Sequence, residues 1–194
     1  MIVVTSRSID GLQRYIERFG KSATTAAQLA VNDTADWSRS RLKAQMQAEV
    51  NLSETAFNRG QLRVTQRARP DRLEAIVSGA REPYSLSRFK QGEPGFGPKA
   101  DAVRVRVATR GKTLTLKRAF YVKAPNGAVG IGVRSKVPLD NSRAARRIKG
   151  TNVFILFGPS PYQLAKRMMP ESAEAVGDYM TREFNRQLVR LTSG

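Results

Sequence analysis

Apolar side chains recur every three or four residues near the N-terminus, at Ile9, Leu12, Ile16 and Phe19. This spacing puts them on one face and predicts a short helix over residues 8–19, capped by Ser8 and stopped by Gly20. A longer helix is expected over residues 21–50. Its first half is rich in Ala (Ala23, Ala26, Ala27, Ala30, Ala35), the best helix former. Its large apolar groups are Leu29, Val31, Trp37, Leu42, Met46 and Val50, so much of its surface is expected to face solvent. Residues 53–60 read as one or two capped helical turns ending at Gly60.

The period then changes. Leu62 and Val64 alternate with polar residues, predicting a strand over 61–66, and a second strand is expected over 73–78 beyond a turn at Arg69-Pro-Asp71. Val103, Val105 and Val107 alternate with Arg104 and Arg106, and Leu114 and Leu116 with threonines. The strand pattern continues over 119–123, and Pro125-Asn-Gly127 marks a hairpin turn before 128–133. The apolar run Val153-Phe-Ile-Leu-Phe157 reads as a central strand. Beyond Gly158-Pro-Ser-Pro161 the chain is helical again, with Pro170 starting or breaking a helix. Ala173, Val176, Met180, Phe184, Leu188 and Leu191 form its stripe.

The expected fold is therefore α+β: N-terminal helices, a central, mostly antiparallel sheet and a C-terminal helix, in a single domain over residues 1–194. Two segments, about 80–100 and 137–150, are expected as flexible loops or arms. Gly92, Pro94, Gly95, Phe96 and Gly97 give the first the most flexible composition in the chain, that of a candidate assembly loop.

Charge changes the picture most. Lys and Arg number 34 against 16 acids, a formal +18. Such a chain repels itself when compact and attracts polyanions. The excess is uneven: between Glu93 and Glu171 only Asp101 and Asp140 interrupt sixteen basic residues. Arg143, Arg146, Arg147 and Lys149 form the densest patch, and Arg104 and Arg106 fall on the polar side of a strand. These six are the candidate contacts to DNA or to an acidic partner.

Candidate chemistry is sparse. The chain has no Cys and no His, which removes disulfides, thiolate nucleophiles, imidazole bases and most transition-metal sites. Gly111-Lys112-Thr113 lacks the upstream glycine of a phosphate loop and reads as a tight turn. Gly127, Gly130 and Gly132 miss the dinucleotide spacing and read as hairpin or close-approach positions. Glu171 with Glu174, and Asp33 with Asp36, have helical spacing, but acids near Pro170 complement a helix dipole. Asn32 and Asn51 head glycosylation-type triplets and read as caps. No catalytic set, cofactor or metal is expected. No apolar run reaches the roughly 18–20 residues that span a bilayer, and no signal peptide is seen, so a soluble intracellular product without a membrane partner is expected.

Taken in order, several segments resemble the minor tail protein Z family, the tail completion proteins of lambda-like tailed bacteriophages and prophages. They are the Ala-rich helix running into Val31-Asn-Asp-Thr-Ala35, Arg72-Leu-Glu-Ala-Ile-Val-Ser-Gly79, Pro83-Tyr-Ser-Leu-Ser-Arg-Phe89, Gly158-Pro-Ser-Pro-Tyr162 and Glu183-Phe-Asn-Arg-Gln-Leu188. The resemblance implies a non-catalytic virion protein, made in the host cytoplasm and placed at the head-proximal end of the tail, where it supports head–tail joining and DNA passage. It implies partners too: copies of itself in a ring, commonly a hexamer, the tail terminator or tail tube and neck proteins, and passing double-stranded DNA. The rival expectation is a sequence-independent nucleic-acid-binding protein unrelated to virions.

Overall fold

A computed structural model of the chain describes residues 2–9, 11–52, 61–91, 102–123, 127–136, 139 and 144–193. Among them are four α-helices and three antiparallel sheets, an α+β fold. The chain forms two compact units. Unit 1 comprises Met1–Gln45, Arg59–Ala80 and Tyr162–Gly194; unit 2 comprises Met46–Asn58 and Arg81–Pro161.

Unit 1 contains a three-stranded sheet in the order β1-β3-β2, with β1 at Ile2–Thr5, β2 at Leu62–Gln66 and β3 at Glu74–Gly79. β2 and β3 match the expected pair and are antiparallel, with a register shift between Val64 and Gln66. No periodicity announces β1, which pairs Val4 with Ala75 and Val3 with Ile76. Val4, Ala75 and Val77 make the inner face of this sheet and are buried.

Helix α1 spans Leu12–Phe19, a later start than the expected residue 8. Residues 6–8 form a single 3-10 turn instead, and Gly11, in the left-handed region at φ 68°, takes the N-cap in place of Ser8. Gly20 stops the helix as expected, at φ 53°.

Helix α2 runs Lys21–Glu49. It is more deeply packed than its few large side chains imply. Ala23, Ala26, Ala27, Ala30, Val31, Thr34, Ala35, Ser38, Leu42 and Met46 recur at three and four residues and are all buried. Here the small side chains form the core face, because close packing turns on fit rather than side-chain size. Asn32, expected as a cap, sits mid-helix and clamps a turn: its Oδ1 accepts from Ala68 N at 2.9 Å and its Nδ2 donates to Ala68 O at 3.2 Å.

Helix α3 spans Pro161–Met168 and α4 spans Ala173–Thr192. A 3-10 turn at Pro170–Ser172 separates them, at the proline expected to interrupt the helix. On α4, Met180, Phe184 and Leu188 are buried as the stripe predicts, Val176 and Leu191 are half-buried, and Ala173 at its start is exposed. Trp37 of α2 stacks on Tyr179 of α4 at 4.6 Å between ring centroids.

Unit 2 holds a two-stranded sheet, β4 (Ala102–Val105) with β5 (Leu114–Lys117), and a four-stranded sheet in the order β6-β7-β9-β8. In the latter, β6 is Ala119–Lys123, β7 Val129–Arg134, β8 Ala145–Arg147 and β9 Val153–Leu156. β6 and β7 form the expected hairpin, and β9 is an interior strand. The strand pattern that runs on from β5 into β6 breaks at Arg118, whose φ of 63° turns the chain between the two sheets. An L-residue in that region costs about 1–2 kcal/mol.

Two segments expected to be loops contain ordered structure. Residues 80–91 include a 3-10 turn at Leu86–Phe89, and Tyr84, Leu86 and Phe89 are buried. Gly158 lies against the Phe89 ring so closely that a Cβ there would stand 2.6 Å from Phe89 Cε2. Within 137–150, β8 forms the edge of the four-stranded sheet. Residues 53–60, expected as helical turns, lie outside the described residues, as do residues 124–126 of the hairpin turn.

Candidate functional site

The two units divide the charge unequally. Unit 2 carries seventeen Lys and Arg against six acids, a net of +11; unit 1 carries seventeen against ten, a net of +7. Of the sixteen basic residues that form the predicted positive field in the middle of the chain, fourteen belong to unit 2, and Lys166 and Arg167 belong to unit 1.

Six of the basic side chains of unit 2, Arg104, Lys117, Lys123, Arg134, Arg146 and Arg147, sit on the strands of two sheets. In β4, Val103 and Val105 are buried and Arg104 is exposed, as alternation requires. Arg104 faces Thr115 across the β4–β5 ladder, and Lys117 faces Ala102, so Arg104 and Lys117 share the outer face. Arg106 lies just past the strand and is half-buried. Its backbone N–H donates to Phe89 O at 2.9 Å, and its Nε has no hydrogen-bond partner among the described residues. Arg106 is thus partly an internal residue, a departure from the expected outward pair.

On the four-stranded sheet, Arg146 and Arg147 are exposed on the edge strand β8, and Lys149 is exposed in the turn that follows. The Arg146 guanidinium lies over Phe157 at 5.1 Å and reaches Glu82 at 3.1 Å. Both partners of that ion pair are more than half exposed, so it contributes about 0–1 kcal/mol. Arg147 Nε donates to Thr151 O at 2.7 Å. Arg134 at the end of β7, outside the six sequence candidates, lies over Phe120 at 5.6 Å. A guanidinium placed over an aromatic ring presents a planar set of donors, a group suited to phosphate or carboxylate. Arg143 and the assembly-loop candidates Gly92, Pro94, Gly95, Phe96 and Gly97 lie outside the described residues.

Asp36, Glu183 and Asp33 have structural partners. Asp36 accepts from Arg67 at 2.8 and 3.2 Å. Glu183, 7 % exposed, is held by the Arg186 guanidinium and accepts from Gln187 Nε2 at 2.6 Å; Gln187 also donates to Asp33 at 3.3 Å. Hydrogen bonds from Arg186 hold Glu183 below the usual carboxylate range. Burial, helped by Glu183, pushes Asp33 up. The two signs oppose: the Glu183 contribution to stability is lost as pH falls through its lowered pKa, and that of Asp33 is lost as pH rises through its raised one. Asp33→Asn should therefore raise the melting temperature at neutral pH and give no gain in acid, where Asp33 is already protonated. A pH series of thermal melts checks this, and a gain that grows as pH falls would contradict it.

Glu171 and Glu174 occupy the first turns of the 3-10 segment and of α4, both exposed. Gly111 closes a turn by donating to Ala108 O at 3.0 Å. Gly130 and Gly132 lie under Ile155, Val122 and Val153 within the sheet. Among the described residues no three Cys, His, Asp or Glu side chains group as metal ligands, and no helix is long and apolar enough to cross a membrane. Comparison with family models, curated proteins and solved structures finds no match for this chain.

Proposed function

We propose that this chain is a structural assembly protein that completes the head-proximal end of a phage tail, in a ring with neck and tail proteins around passing duplex DNA. The observation that carries the reading is the concentration of charge: +11 in unit 2, with Arg104, Arg146 and Arg147 exposed on its sheets and Lys149 in the turn after β8. The order of segments that resembles the tail completion family supports the same reading.

A channel must pass every sequence in a genome, so its attraction to phosphate has to be weak and indifferent to bases. Side chains on exposed strand faces and a turn suit that task, since phosphate contacts position a duplex without reading it. The purified protein should bind unrelated duplexes equally, with affinity falling as salt rises, by about 0.9 log units per log unit of salt for each phosphate neutralised. Titration of two duplexes of different sequence across a salt series measures this. A footprint on one sequence that persists at high salt would reject the channel reading in favour of a dedicated nucleic-acid-binding protein.

A further inference from the structure

Strand β1 is an open sheet edge. It pairs with β3 on one side, and no strand pairs with its other side among the described residues. The bond from Ser6 N to Leu73 O fixes the parity of the ladder. Val4 and Ile2 exchange backbone hydrogen bonds with β3, and Val3 and Thr5 turn their N–H and C=O groups outward. Natural edges are usually blunted by Lys, Pro or a bulge. The sequence Ile2-Val-Val-Thr5 has neither residue, its register against β3 is regular, and Val3 is 41 % exposed.

A cavity of about 200 Å³ runs beside this edge, lined by Val3, Val4 and Thr5, by Ser38 and Arg41 of α2 and by Val176 of α4. Three consecutive strand residues line it. Side chains alternate between faces, so a cavity touched by all three lies along the edge itself. Ser38 Oγ, a buried hydroxyl in its lining, has no hydrogen-bond partner among the described residues.

We propose that β1 accepts an extended segment of an acidic partner protein as an added strand, with one aliphatic side chain of that segment in the cavity and a carboxylate against Arg41. Backbone pairing along a sheet edge supplies the affinity in this mode, and a side-chain pocket supplies the specificity. Charge decides the occupant. Among the described residues Arg41 is the sole charged side chain lining the cavity, inside a unit of net +7. A second copy of this chain would bring another Arg7 and Arg41 to the same edge. Glu171 and Glu174 flank the Ser172 and Ala173 side of the cavity, which places the partner's carboxylate at the Arg41 end.

The test uses the full chain and a fluorescent peptide alternating Val and Glu, with a Val/Lys peptide for comparison. Val3→Pro deletes an outward N–H and leaves the β3 ladder intact. Ala173→Phe fills the cavity from an exposed position and serves if the proline variant does not fold. The Val/Glu peptide should bind at micromolar concentration and prefer this protein to its Arg41→Glu variant. Either blocking substitution should weaken binding by about tenfold or more, as expected when a backbone pairing or a side-chain pocket is removed, without shifting the thermal melt. Equal binding of the two peptides, no Val/Glu binding at millimolar concentration, or undiminished binding by the blocked variants would overturn the proposal. So would self-association of the peptide-free protein that Val3→Pro abolishes, since the edge would then belong to a second copy.

Discussion

Phe184→Ala should lower stability by about 3–5 kcal/mol, the usual cost of truncating a fully enclosed aromatic ring. Phe184 is 1 % exposed in the stripe of α4, between Met180 and Leu188, and Tyr15 of α1 meets it edge-on at 5.3 Å between centroids. The cost has two parts: the transfer energy of the ring, and a void that Tyr15, held on a helix, closes only in part. In a chain of this size 1 kcal/mol moves the melting temperature by about 2–4 °C, so a drop of about 6–20 °C is expected. The substitution also removes the aromatic anchor of α1, a helix with no buried residue of its own. Hydrogen exchange across residues 12–19 should therefore rise before global unfolding. A melt within 1–2 °C of wild type, a shift no larger than about 1 kcal/mol would give, would show that the stripe does not carry the packing.

The second large effect concerns binding. Changing Arg104, Arg146, Arg147 and Lys149 together to Gln should flatten the salt dependence of duplex binding. The slope should fall by about 0.9 for each phosphate these side chains neutralise, some three to four units if all four engage DNA. Folding should be nearly unaffected. All four side chains are exposed, and substitutions at such positions usually move stability by about 0.5 kcal/mol or less. The Arg146–Glu82 pair is too exposed to change that. An unchanged slope combined with failed assembly would transfer these residues from DNA to an acidic protein neighbour.

How much of this can be read in the sequence depends on whether the signal is local. The α4 stripe, the β2–β3 pair and the β6–β7 hairpin are periodic over short stretches, and each forms as the periodicity requires. β1 is hidden for two reasons. Four residues are too few to display a period, and its partner β3 lies some seventy residues away. The segment 80–91 reads as a loop because Tyr84, Leu86 and Phe89 follow no helical or strand period; what orders them is long-range packing, such as the Gly158 contact. β8 is hard to see because only Ala145 of its three residues is buried, and its two arginines resemble a solvated loop. In the candidate site, Arg104 is legible from the buried valines on either side of it. Arg134 over Phe120 is not, since a cross-strand contact leaves no mark on either neighbourhood.

Charge alone distinguishes attraction to polyanions from repulsion; it does not distinguish a channel component from a general nucleic-acid binder. Assembly does. The most direct measurement is imaging of the purified protein, alone and with short duplex DNA, over a range of protein concentration. Closed rings with a central opening wide enough for the duplex are expected, on any sequence supplied. Particles that stay monomeric at every concentration and decorate DNA from the outside would contradict this expectation.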